Sequence, residues 1–361
     1  MLPKQHAPSP RSRPALSPAF WRRLYQCISF LAALHLAGQL AIWLPAHWAR
    51  TDPDRDMLIY HDAARRVVTG QPLYQPWPEF TPVQAPSRYF YPPPFIAVFA
   101  PLGYLSPVSF SRFWYLLLLA AFWVYAWCLA RLACARPAVV TILIAGLALQ
   151  CCPGTYATMS FGNAEPLLWA LFGLALCTPY RGSFLAAEAM IKLHPIWTLA
   201  LVIRHEGRGA LLQAALVFSA GFALSWFVCG PGSYRDWWPA VSPVASQGTF
   251  HPDNVSLSYA GLRLAHLLGW EHGGRPLPPL ARLYLSLMSI AGPLWLLWRV
   301  RHQKPLLQYA CVGAGTVLFM PICWSVYLPH LLAPAALWLR ARHDAAQPTT
   351  ERSAEPGREQ D

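Results

Sequence analysis

"GSFLAAEAMIKLHPIWTLALVI", residues 182 to 203, is long enough to cross a bilayer, yet Lys192, His194 and Pro195 interrupt its middle. About 20 apolar residues span the roughly 30 Å of hydrocarbon as a helix. A lysine near mid-membrane costs roughly 2.5 to 3.5 kcal/mol on insertion scales, so such cations face a protein interior or a cavity. The alternative is that Lys192 snorkels to the nearer face along a short helix. The flanking charges arbitrate. A full crossing would set Arg181 and Arg204 on opposite faces, whereas a segment that enters and leaves on one face keeps them together. Short basic loops belong on the cytoplasmic side. The stretch therefore reads as an interrupted, re-entrant segment, which needs protein or a water-filled cavity around its broken backbone.

The rest of the chain agrees with a membrane setting. Of its 361 residues, 55% are hydrophobic and only 12% charged, against about 25% charged in a soluble domain. Mean hydropathy is +0.30. Seventeen Trp and fifteen Tyr suit aromatic belts at the two interfaces. The net charge of +12 comes largely from arginines in the N-terminal segment and in short loops. That is a topology signal and not a nucleic-acid footprint. The nine cysteines lie in or beside apolar runs, without metal-ligand spacing or a secreted disulfide pattern.

Membrane-length windows fall at 24–44, 108–131, 137–158, 162–179, 209–229, 281–299, 305–322 and 325–341. "YPPPFIAVFAPLGYL" (91–105) is short and broken by prolines, and 257–269 is too short to cross. Eight crossings keep Arg11, Arg13, Arg22 and Arg23, and the loops around Arg131/Arg136, Arg181, Arg204/Arg208, Arg299/Arg301/Lys304 and Arg340/Arg342, on one side; ten crossings remain open. The basic segment 1–23 then reads as a cytoplasmic tail, 24–342 as the membrane domain behind an uncleaved anchor, and 343–361 as a disordered cytoplasmic tail. On the outer face this leaves the 45–90 loop, "GNAE" (162–165), the 230–256 loop and "PICWSVYLPH" (321–330).

The first of these loops holds "DRDMLIYHDAARRVVTGQPLY" (54–74), in which Met57, Ile59, Tyr60, Ala63, Ala64, Val67 and Val68 recur at helical spacing. Such a helix lies along an interface. Its leading acids, Asp52, Asp54 and Asp56, are explained equally by a helix dipole and by a general base at the mouth of an apolar cleft.

The motifs resemble glycosyltransferase family 87. "DMLIYHDA" followed by "GQPLY" is similar to that family's first outer loop. Tyr89-Phe90-Tyr91-Pro92-Pro93, Pro101-Leu102, Gly162-Asn163-Ala164-Glu165, Lys192-Leu193-His194-Pro195, Asn254-Val255-Ser256-Leu257 with Arg263, and Pro321-Ile322-Cys323-Trp324 follow in the family's order. The resemblance implies an all-α polytopic membrane protein, a GT-C-like bundle of about 8–10 transmembrane helices with interfacial and re-entrant helices on the outer side. It implies a polyprenyl-phosphate sugar donor, a glycan or glycolipid acceptor, and a site facing outward from a bacterial cytoplasmic membrane. The sugar is mannose or arabinofuranose, with mannose expected. The family's catalytic Asp falls on Asp56, three residues before the Ile59-Tyr60 pair. Two places depart from the family. Glu165 adds a carboxylate where the family commonly has Asn, and Val326 stands where many members carry a His, with His330 one turn beyond Tyr327 as a substitute.

For the donor phosphate the candidates are Lys192 and His194, with Arg263 and Arg88 as competitors. A fixed cation stabilises the charge that a departing phosphate develops. Tyr60, Tyr91, Asn163, Glu165, Asn254, Ser256, Trp324, Tyr327 and His330 complete the expected substrate contacts. Asn254 and Ser256 serve equally as caps of a helix beginning near Leu257, Glu165 as an acid at a helix start, and Trp324 as an interface anchor. No cofactor or metal is expected, since a hard cation wants more oxygen ligands than "TDPDRD" offers. The leading expectation is an inverting mannosyltransferase with membrane lipids around it and no nucleic-acid partner. A carrier or flippase, with Lys192 and His194 on a substrate path, and an inactive sugar-lipid-binding relative are the rivals.

Overall fold

The computed structural model describes residues 18–38, 41, 48, 55–74, 89–247, 255–267, 279–320, 323 and 325–346. Arg88, Asn254 and Trp324, most of both tails, and parts of the 45–90 and 230–256 loops lie outside the described residues. Among the described residues every regular element is helical. The chain is an all-α polytopic membrane protein.

The helices are α1 (Pro18–Gly38), α2 (Asp56–Val68), α3 (Pro93–Phe99), α4 (Pro107–Ala133), α5 (Val139–Cys151), α6 (Thr155–Phe161), α7 (Glu165–Cys177), α8 (Arg181–Ile191), α9 (Ile196–His205) and α10 (Arg208–Cys229). They continue with α11 (Gly232–Gln247), α12 (Leu257–Leu267), α13 (Pro279–Val300), α14 (Pro305–Thr316) and α15 (Leu332–Ala346). Shorter 3-10 turns cover Ala100–Tyr104, Val317–Phe319 and Ser325–Leu331.

By length and composition, α4, α10 and α13 can each cross a membrane. α4 is the longest at 27 residues, about 40 Å at 1.5 Å per residue. Ser106 caps it by accepting from Ser109 N at 3.2 Å, and Pro107 follows where a missing N–H costs nothing. The windows at 24–44, 162–179 and 305–322 hold shorter apolar helices, and 325–341 holds a 3-10 turn followed by α15. The 137–158 window departs most. It breaks at Cys152–Gly154, and α5 and α6 meet at 83°. Gly154 turns the corner at φ +86°, and a side chain there would meet the Ser325 backbone. Three more boundaries shift: α1 starts inside the expected N-terminal tail, α11 occupies most of the expected 230–256 loop, and α15 runs to Ala346.

The interrupted segment follows its sequence. α8 stops at Ile191, Lys192 is extended, and α9 restarts at Ile196. The ends of the segment meet: the Arg181 guanidinium pairs with Glu206 and lies 4.7 Å from the centroid of the Tyr309 ring.

Two apolar cores position the site. One packs α4 against α7, α8, α9, α14 and α15 through Tyr125, Trp169, Phe172 and Tyr309. Gly173 and Gly313 let neighbouring side chains approach closely there, as small residues do between membrane helices. The other gathers Met57, Tyr60, Phe95, Phe110 and Trp114 under α2. Gly103 lets the 3-10 turn run against the α2 backbone at Ala64.

Candidate functional site

α2 is amphipathic, so its apolar face fixes where its polar first turn points. Met57, Tyr60, Ala63 and Ala64 are buried. Tyr60 is edge-on to Tyr91 and Phe95, with centroids 5.3 and 5.4 Å apart. His61 bonds the Leu105 carbonyl through Nε2 at 2.9 Å. Arg55 locks the front end: its guanidinium donates to Tyr115 Oη at 2.9 Å and to the Ser160 carbonyl. Asp62 points the other way. It is 61% exposed and pairs with Arg66 one turn along.

This seating brings Asp56, half-buried at the start of α2, to the turn between α6 and α7. Asn163 Nδ2 donates to Asp56 Oδ2 at 2.6 Å, and Asn163 Oδ1 accepts from Glu165 N at 3.0 Å. Gly162 makes the turn at φ +67°, a left-handed helix cap. A side chain there would meet Met57 Cβ at 2.9 Å. Trp114 Nε1 donates to the Gly162 carbonyl at 2.8 Å, and Ala164 N donates to Tyr60 Oη at 3.3 Å.

Burial raises the Asp56 pKa above its ordinary value, while the Asn163 bond and the Lys192 charge pull the other way. The carboxylate thus sits where desolvation makes it more basic and a fixed donor keeps its ionised form oriented.

Lys192 arrives from the α8–α9 break. Its ammonium pairs with Glu165, donates to Tyr327 Oη at 3.0 Å, and lies 4.5 and 5.2 Å from the ring centroids of Tyr327 and Tyr91. Glu165 is fully buried and Lys192 is 15% exposed, so the pair is desolvated and breaking it would strand a charge. An extended backbone at Lys192 turns the side chain into this cage.

Sequence reasoning named most of this group. Asp56, Tyr60, Tyr91, Asn163, Glu165, Lys192 and Tyr327 are linked by bonds or ring contacts. His194 and His330 sit behind Tyr327, with His194 edge-on to it at 5.9 Å. Ser256 serves a structural tie: its hydroxyl bonds the Met320 carbonyl, and Val255 N donates to the Cys323 carbonyl at 2.7 Å. Arg263 is half-buried on α12. Two residues were missed. Arg55 carried the signal of a cation opening an amphipathic helix, and Glu188 that of a carboxylate inside an apolar one.

The family model of glycosyltransferase family 87 matches residues 89–323, from the aromatic segment before α3 to Cys323. No curated protein and no solved structure gives a significant match. The matched span includes Asn163, Glu165 and Lys192 and begins after α2, so Asp56 joins it through space, by the Asn163 bond. The chain belongs to glycosyltransferase family 87.

Proposed function

We propose that this membrane glycosyltransferase takes mannose from a polyprenyl-phosphate donor and transfers it, with inversion, to a hydroxyl of a lipid-linked or glycan acceptor. Asp56 is the general base. The acceptor oxygen bonds to the anomeric carbon as the bond from that carbon to the phosphate oxygen breaks. The electron pair leaves with the phosphate, and the acceptor proton passes to Asp56. Phosphate needs no protonation to depart, so one carboxylate suffices where glycoside hydrolysis calls for two.

The observation that carries this reading is the state of Asp56. Burial raises its proton affinity, and Asn163 orients one oxygen at 2.6 Å. A general base works best when its pKa moves toward the operating pH. Lys192 is the cation that acts electrostatically on Asp56. In the reaction it faces the donor phosphate, assisted by Tyr91 and Tyr327 against its ammonium. Arg88 and Arg263 guide the phosphate inward, and His194 and His330 back the Lys192 cage. Asn163 aims Asp56 and Glu165 holds Lys192; Tyr60 and Ser256, both buried and bonded within the fold, brace the site, and Asn254 and Trp324 contact sugar or lipid. The same reading sets the helical body in a bacterial cytoplasmic membrane, with the site outward and both terminal segments in the cytoplasm.

The test is transfer from synthetic polyprenyl-phosphate mannose by protein in liposomes, wild type beside Asp56→Asn. Transfer by the wild type and its loss in a folded variant is the expected result. Transfer that persists in Asp56→Asn overturns the base. A wild type silent with mannose and active with the arabinofuranose donor overturns the sugar, and silence with both overturns the donor class.

A further inference from the structure

Beneath the Lys192 cage, three titratable side chains from separate elements converge: Glu188 of α8, His194 of the α8–α9 break and His330 of the 3-10 turn Ser325–Leu331. Their candidate ligand atoms all lie within 4.8 Å of one another. All three are buried, at 2%, 5% and 0% exposure. Glu188 Oε2, both ring nitrogens of His194 and Nε2 of His330 have no hydrogen-bond partner among the described residues. Native interiors rarely leave polar atoms in that state, and an unpaired buried carboxylate is the costliest kind.

We propose that Glu188, His194 and His330 bind one divalent transition-metal ion of the zinc class. Two imidazoles and one carboxylate are a donor set that zinc accepts, with a fourth position left to water. His330 is already oriented for it. Its Nδ1 donates to the Tyr327 carbonyl at 3.1 Å, which leaves the Nε2 lone pair facing Glu188 Oε1 at 3.6 Å. A metal-bound histidine characteristically holds its other nitrogen this way. Tetrahedral ligation at about 2.1 Å needs ligand atoms about 3.4 Å apart. His194 supplies the closing movement, since it stands outside both helices and neither ring nitrogen is held.

Charge argues in the same direction. Lys192, two residues before His194, is engaged with Glu165, and the basic group that faces Glu188 is His330, which carries charge only when protonated, so a divalent ion supplies a fixed counter-charge. Bound there, the ion joins α8, the break and the turn carrying Tyr327. It sets the spacing of the elements that present Lys192 and Tyr327 to each other. The transfer step proposed above does not pass through it.

The experiment needs no sugar donor, so it succeeds or fails independently of the transferase reading. Full-length protein bearing a histidine-free tag is incubated with zinc sulfate, gel-filtered in metal-free buffer, and analysed by mass spectrometry for metal. About one zinc per chain is expected, falling at least tenfold in Glu188→Gln and in His194→Gln. Less than about a tenth of a zinc per folded wild-type chain means a water-filled polar cluster and overturns the site. So does zinc retained by both variants. If the variants do not fold, the wild type loaded with cobalt(II) decides. Intense visible ligand-field bands, removed by adding zinc, support the site; their absence overturns it.

Discussion

Two buried acidic neighbourhoods flank Lys192, and they are finished to different degrees. On one side, Asp56 and Glu165 sit in a network whose members mostly hold one another: Asn163 bonds the Asp56 carboxylate and the Glu165 backbone, Lys192 joins Glu165 to Tyr327, and one buried oxygen, Glu165 Oε2, is left without a hydrogen-bond partner among the described residues. On the other, Glu188, His194 and His330 face each other with four polar atoms unpartnered among the described residues. Both are enclosed by aromatic rings and built on the same helix break. A polar group satisfied by its own fold is pre-organised for a substrate, because nothing must rearrange when charge develops. A group left unsatisfied in an interior calls for a water, an ion or another partner to complete it. The contrast teaches that burial alone does not mark a reactive site; what distinguishes the two is how far the protein completes its own hydrogen bonds, one atom being left over on the first side and four on the second.

Asp56→Asn tests that contrast most severely. General-base removal costs about 10²- to 10⁴-fold in turnover, read as initial rates of sugar transfer, while Glu188→Gln should not abolish turnover at saturating donor. The same variant carries a stability signature. A carboxylate whose folded pKa is raised binds more protons folded than unfolded, so its contribution to stability falls as pH rises. Removing that charge should raise the melting temperature at neutral pH in detergent. A lower melting temperature would mean that Asn163 outweighs the desolvation.

Lys192→Met comes next. It leaves Glu165 buried and unpaired, a loss of about 3–5 kcal/mol for a broken buried pair, measured by thermal unfolding. Adding Glu165→Gln should restore much of that stability without restoring transfer. Recovery of both would reduce Lys192 to a counter-ion.

Asn163→Ala sharpens the comparison through pH. Transfer should fall as pH drops through the Asp56 pKa, which lies above the ordinary carboxylate value. Asn163 and Lys192 both lower that pKa, so losing the Asn163 bond should move the acid limb further up, visible in a pH profile of kcat/KM. A downward move would contradict the geometry. The smallest effect is expected at Asp62. Its exposed pair with Arg66 is worth at most about 0.5 kcal/mol, so Asp62→Asn should leave rate and melting point nearly unchanged.

Much of this was legible in the sequence because membrane helices advertise themselves by composition. Lys192, His194 and Pro195 announced the α8–α9 break, since no helix carries all three across hydrocarbon without a reason. The apolar stripe of α2 likewise announced an amphipathic helix, while the direction of its first turn came only with the structure. What stayed hidden depends on encounters through space. The bend at Pro153-Gly154 has a local signal in that Pro-Gly pair, but the close approach of the Ser325 backbone to Gly154 does not. Arg55 reads as an ordinary flanking cation until Ser160 and Tyr115 arrive beside it. Glu188 and His330 are far apart in the chain, and a metal-ligand spacing cannot show what three separate elements assemble.

The bond between Asn163 and Asp56 closes a separation of 107 residues, and that has a consequence for synthesis. The ribosome makes Asp56 early, and α2 must wait while α3, α4, α5 and α6 are made and inserted. Until Asn163 emerges, the carboxylate lacks the partner that orients it. A chain stalled or truncated before that point carries the acid without its aim, so the oriented carboxylate belongs only to chains made beyond Asn163.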